Sequence, residues 1–140
     1  MLDEDEFARW HAEAVTALES ARTQAGASFY NWACFAAEQA AQLAVKALLH
    51  GIGQAPWGHD LVALGSAAAA ALGPAWPDDL DDPLRSLSQY YIPTRYPDAN
   101  PSGTPSDHYG APDAERAVTL ADEVVGIVAT TWSSLPRDDG

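Results

Sequence analysis

The segment YNWACFAAEQAAQLAVKALL, residues 30–49, constrains this chain more than any other. Alanine is the strongest helix former, and the spacing of the apolar residues is helical. Phe29, Ala33, Ala36, Ala40, Leu43 and Ala47 form one seam, and Ala37, Ala41, Ala44 and Leu48 form a second beside it. Two seams on one helix imply neighbours on two sides, and small side chains let helix axes approach closely. The spacing predicts a helix over Phe29 to Gly51 with Ser28 as its N-cap. It is expected to be the most buried helix, touching the first and last along its alanines. Glu38, Gln39, Gln42 and Lys46 make up the remaining face, with the i,i+4 spacing of a solvated surface.

The flanking segments are helical as well. Phe7, Trp10, Ala14, Ala17 and Ala21 place one apolar face on a helix from about Asp3 to Ala25. Gly51, Gly53, Pro56 and Gly58 then form a loop. A third helix is expected from about Asp60 to Leu72, with Leu61, Leu64, Ala68 and Ala71 facing inward. A fourth is expected from about Asp79 to Tyr91, with Leu80, Leu84, Leu87 and Tyr91 inside and Pro83 in its first turn, where the missing N–H is harmless. The stretch Pro93 to Pro112 reads as a long loop, functional or mobile. Asp113 reads as the N-cap of a last helix running to about Ser133. These segments predict an all-α, antiparallel up-and-down bundle of four long helices and one short one. It would be a single unit over 1–140, with a core at about 3–135 and a frayed tail at 136–140.

Charge and cysteine usage narrow the function classes. Lys plus Arg number 7 against 20 Asp plus Glu, a formal net charge of -13. That balance opposes non-specific nucleic-acid binding, which depends on neutralising phosphates, and docking to anionic membranes. DNA and membrane partners are therefore not expected. The single cysteine, Cys34, allows no internal disulfide and reads as a buried thiol. The acidic start MLDEDEFARW does not resemble a secretory signal, so a cytoplasmic location is expected. His11, His50, His59 and His108 are scattered, and no Glu-x-x-His pair occurs, so no metal or other cofactor is expected. Phosphate-loop, dinucleotide and nucleophile-elbow glycine motifs are also missing.

Four stretches, in order, resemble the HEPN domain. They are FARWHAEAVTALESA; YNWACFAAEQAAQLAVKALL; His59-Asp60-Leu61 followed by Leu64; and YYIPTRYPDA, a proline-rich loop and DAERAVTLADEVV. The resemblance spans about Phe7 to Leu135, and Arg95-Tyr96-Pro97-Asp98 is its most specific part. It implies a helical bundle, often a homodimer, often paired with a minimal nucleotidyltransferase, and suspected of binding nucleotides. Some members are metal-independent ribonuclease toxins carrying an Arg, then four to six intervening residues, then a His. Here Arg85 is followed by SLSQYYI, and His108 follows Arg95 only after twelve intervening residues, so that spacing is missing.

The expected function is thus a nucleotide-binding and interaction module. The alternative is an atypical ribonuclease using Arg95 and His108. Arg95 is the leading candidate, because its planar fork suits phosphate or carboxylate. Equally, it could pair with Asp98 and pin the loop. Tyr96 could stack on a base or cover the bundle end. Of Tyr90 and Tyr91, one should be core and the other could line a groove. Lys46 matches a lysine of the family helix and would approach Arg95 across a cleft between helices two and four. His59 reads first as a backbone-bonded histidine and second as a ligand group. Trp57 and Trp76 read as caps on the core or as contact surfaces.

Overall fold

The computed structural model describes residues 1–137. Five α-helices are present: α1 Glu4–Gly26, α2 Tyr30–Gly51, α3 Leu61–Leu72, α4 Asp81–Ser88 and α5 Ala111–Ser134. No strand occurs among the described residues. The all-helical expectation therefore holds. Three helices are long, at 23, 22 and 24 residues, while α3 and α4 have 12 and 8. Helix α4 is shorter than expected because Asp78–Leu80 forms a separate 3-10 turn. At its other end, Pro93 lacks an N–H and would clash with the Gln89 carbonyl in a continued helix.

Helix α2 lies at the centre. It packs chiefly on α1, then on α5, and it also meets α3 and α4. Ala33, Ala37, Ala40, Ala41, Ala44, Ala47 and Leu48 are completely buried, so both seams are used. Ala14, Leu18 and Ala21 face α2 and α5 from α1 as part of the same core, and Leu18 belongs to the seam that the spacing had not marked. Ala71, expected to point inward, is exposed, because α3 covers the core only through Leu61, Leu64, Gly65 and Ala68.

The helix ends differ from the expected caps at two places. Ser28 does not cap α2. It sits at φ +67, in the left-handed position of the turn closing α1. There Phe29 N–H donates to Gln24 O (2.8 Å) and Ser28 N–H to Ala25 O (3.1 Å), the paired bonds that satisfy a helix C-terminus. Helix α5 starts earlier than expected, after Gly110, and Asp113 lies inside its first turn, accepting Gly110 N–H at 2.8 Å. Asp3 and Asp60 cap α1 and α3 through their side chains. Of the tail expected to fray, 138–140 lie outside the described residues, while Arg137 is tied to Glu4 and to the Trp132 carbonyl.

One end of the bundle is closed by Trp132. Its ring stacks on Phe7 at 4.3 Å, and its Nε1–H donates to Glu4 Oε2 at 3.0 Å. Gly51, a helix breaker in the sequence, is buried as the last residue of α2, and a Cβ there would collide with the Trp132 ring and come within 3.2 Å of Phe7 Cβ. Gly51→Ala should therefore cost about 1–3 kcal/mol by overpacking, despite alanine's better helix propensity. Chemical denaturation of the variant beside the parent measures the loss.

Candidate functional site

The site is assembled where the turn after α4 folds back over α2. That turn is fastened from several sides. Thr94 is completely buried; its Oγ1–H donates to Tyr90 O at 2.6 Å, and its carbonyl accepts Asn31 Nδ2–H at 3.0 Å. Asn100 Nδ2–H donates to Pro93 O at 3.0 Å, and Ser106 Oγ–H reaches Asn31 Oδ1 at 3.4 Å. The proline-rich segment is thus held to α2 by hydrogen bonds. Tyr90 turns into the core, whereas Tyr91, expected to face inward, lies beyond the end of α4, is half-buried and packs against His59 and Arg95.

Arg95 projects from this turn over the edge of α2. Its Nε–H donates to Tyr91 O at 2.8 Å. Its Cζ lies 4.4 Å from the Phe35 ring centre, 4.4 Å from that of Tyr91 and 4.9 Å from that of Tyr96. Each such stack contributes roughly 0.5–2 kcal/mol, and together they fix the plane of the guanidinium. Among the described residues, the ion pairs are Arg9–Glu6, Arg22–Asp122, Arg85–Asp82 and Arg137–Glu4. Arg95 is in none of them, so the alternative pairing with Asp98 is not made. Asp98 sits exposed in the turn Pro97–Ala99. The terminal nitrogens of Arg95 make no hydrogen bond among the described residues, although the chain carries 20 acidic side chains.

Beneath this cation lies a group that the sequence reading placed in solvent. Glu38 is completely buried and Gln42 nearly so. The Glu38 carboxylate accepts Gln39 Nε2–H at 2.8 Å and Gln42 Nε2–H at 2.7 Å, and the Gln42 amide also donates to His59 O at 3.1 Å. Lys46 continues this face, half-buried. Burial pushes the Glu38 carboxyl up to about 7, against the opposing pull of the Gln42 and Gln39 bonds and of the Arg95 and Lys46 charges. The i,i+4 spacing was read as solvated because it cannot show that the 52–60 loop and the Arg95 turn cover this face. A signal was available in that Glu38 is followed by two uncharged amides, which can bond a carboxylate without adding charge.

His59 also departs from its expected role. Its ring is exposed and stacks on Tyr91 at 5.2 Å, while its backbone carbonyl holds the loop through Gln42. Tyr91 therefore carries both His59 and Arg95. Of the candidates, Arg95, Tyr91, Tyr96, His59 and Lys46 belong to one neighbourhood with Phe35 and Glu38. His108 is bonded to the Ser102 carbonyl within its own loop, and no hydrogen bond or stack joins it to Arg95 among the described residues. Cys34 is completely buried, and burial with the Asp113 charge raises its thiol to about 12, so it is inert. No group of three metal-ligating side chains is found among the described residues, and no described helix is long and apolar enough to cross a membrane.

The five-helix architecture around α2 is that of a known domain class. The HEPN domain model matches residues 7–131, and the chain belongs to the HEPN domain family. Comparison with curated protein sequences gives no match. Among solved structures, TT1696 from Thermus thermophilus is 38% identical, with a TM-score of 0.83 over 89% of this chain and 97% of that one. ST0689, described as an archaeal HEPN homologue, is 31% identical, with a TM-score of 0.72 over 89% and 95%. The HEPN domain protein TM0613 from Thermotoga maritima is 30% identical, with a TM-score of 0.71 over 91% and 99%.

The raised carboxyl at Glu38 has a measurable consequence. The folded chain keeps a proton there that the unfolded chain releases above about 4.5. Its stability contribution is therefore most favourable at low pH and is lost as the pH rises from there through 7. The full loss is about 3 kcal/mol. Glu38→Gln, neutral at every pH, should be more stable than the parent at pH 8, and the gap should close towards pH 5. Thermal unfolding of both proteins across that range checks it.

Proposed function

We propose that this HEPN chain is a binding module whose Arg95 cluster grips the phosphate of a nucleotide-like ligand. The observation that carries the reading is the state of Arg95. Its plane is set by three aromatic rings and by one bond from Nε–H, and the remaining N–H groups of its fork have no partner among the described residues. A guanidinium fixed in this way loses little freedom on binding, and its parallel donors match two phosphate oxygens. Tyr96, exposed beside it, offers a ring face to the ligand. Lys46 adds positive charge to the same region, where it acts on Glu38 along with Arg95.

The ribonuclease alternative requires a base beside the cation, and His108 is engaged with Ser102 in its own loop. Adenosine 5′-monophosphate binding should be measured by calorimetry for the parent, Arg95→Ala and Arg95→Lys. Loss of charge-assisted bonds worth about 1.5–3 kcal/mol weakens binding roughly tenfold to a hundredfold in Arg95→Ala. Arg95→Lys recovers only part of it, because it restores the charge and not the fork. Equal affinity in all three proteins refutes the reading. Metal-free cleavage of labelled single-stranded RNA that both Arg95→Ala and His108→Ala abolish establishes the enzyme instead.

The proposal extends to assembly. The module acts as a homodimer and serves a minimal nucleotidyltransferase, as the family resemblance implies. Exposed Phe29, Trp32, Ile92 and Tyr96, clustered in sequence at the start of α2 and around the Arg95 turn, are the support from this chain. Light scattering at tens of micromolar should give twice the chain mass, falling to the single mass in Trp32→Glu. A monomeric parent refutes it.

A further inference from the structure

A second cleft adjoins the Arg95 cluster. It lies between the 52–60 loop and α3, with a volume of about 340 Å³, and its lining includes Leu49, Pro56, Trp57, His59, Ala63 and Leu64. That volume is at the small end for ligand sites and suits one ring system. Trp57 is 88% exposed, so its indole is spent on neither the core nor a neighbouring side chain. The walls are otherwise aliphatic, and the small side chain of Ala63 leaves the α3 side open. Gln54 and Asp60 supply polar groups at the rim; one Asp60 oxygen caps α3 through Ala63 N–H.

His59 connects the two places. It lines the cleft and stacks on Tyr91, and Tyr91 carries the Arg95 guanidinium on its ring. The cleft and the cation are thus separated by two stacking contacts, a separation that one molecule with a ring at one end and a phosphate at the other can span.

Resting on the reading of Arg95 as a phosphate grip, we propose that the cleft beneath Trp57 is the subsite for the ligand's heteroaromatic ring. Its occupant is a nucleobase, stacked on Trp57 with its polar edge towards Gln54 and Asp60 and its phosphate directed past His59 to Arg95. Stacking on an aromatic residue tolerates many bases, so Trp57 supplies affinity and the rim supplies preference.

The test uses adenosine 5′-monophosphate, adenosine and ribose 5-phosphate against the parent, Trp57→Ala, Ala63→Leu and Arg95→Ala. Trp57 and Ala63 are both exposed in the ligand-free chain, so neither substitution disturbs the core. In the parent, adenosine 5′-monophosphate should bind roughly tenfold to a hundredfold tighter than ribose 5-phosphate. Trp57→Ala removes most of that ratio by taking away the stacking face, and Ala63→Leu does so by filling the cleft. Both should leave ribose 5-phosphate binding unchanged. An undiminished ratio in both variants overturns the ring subsite, even while Arg95→Ala upholds the phosphate grip. Adenosine binding that depends on Trp57, with no effect of Arg95→Ala on any probe, upholds the cleft and refutes the grip. No binding of any probe by the parent overturns both.

Discussion

Close packing along α2 is the constraint on which everything else in this molecule depends. Completely buried alanines on two faces bring α1 and α5 close to its backbone, and the same helix also receives α3 and α4. A centre built from small side chains gains little burial per residue, so larger groups from the neighbouring helices, among them Leu18, Leu61, Leu87 and Val124, complete the core. Phe7, Trp132 and Gly51 close one end, where a glycine is needed because the tryptophan ring occupies the space a Cβ would take. At the other end, Asn31 and Thr94 fasten the turn that carries Arg95.

Surrounding α2 so completely leaves its polar face covered as well. Glu38 is buried, its hydrogen-bond partners among the described residues are two amides, and its carboxyl rises to about 7 because burial outweighs the stabilising bonds and charges. A buried carboxylate with no cation in direct contact is an unfavourable element for stability. The Arg95 and Lys46 charges both pull the Glu38 carboxyl down, yet burial outweighs them.

Arg95 represents the opposite solution to the same packing. In a chain of net charge -13, a basic side chain would be expected to find a carboxylate, and four others do. Arg95 is instead engaged by Phe35, Tyr91 and Tyr96, which stabilise its charge without neutralising it. On the proposed reading, an acidic surface with one preorganised cation would disfavour polyanions such as RNA and would take a small phosphate at close range, where a direct hydrogen-bonded contact outweighs the screened repulsion of distant carboxylates.

The sequence by itself determined the helical class and the central place of α2, and it singled out Arg95 as the leading candidate. Alanine periodicity encodes the first two directly, and the order of four motifs, ending in Arg95-Tyr96-Pro97-Asp98, carries the family. That Tyr90 and Tyr91 divide between core and surface was legible, since adjacent residues at a helix end face different ways, but the spacing put Tyr91 inside and the structure buries Tyr90. Other features depended on contacts between residues distant in the chain. Ser28 looked like a cap, yet it was needed for the left-handed turn that closes α1. Glu38 and Gln42 looked solvated, because periodicity separates the faces of a helix but does not say what lies over each. The partner of Arg95 was likewise undecided between a carboxylate and a ligand. Only the tertiary structure, by bringing Phe35 of α2 beneath the turn that carries Tyr91 and Tyr96, decided that its charge is held by aromatic rings, because stacking needs surfaces from separate elements to meet face to face.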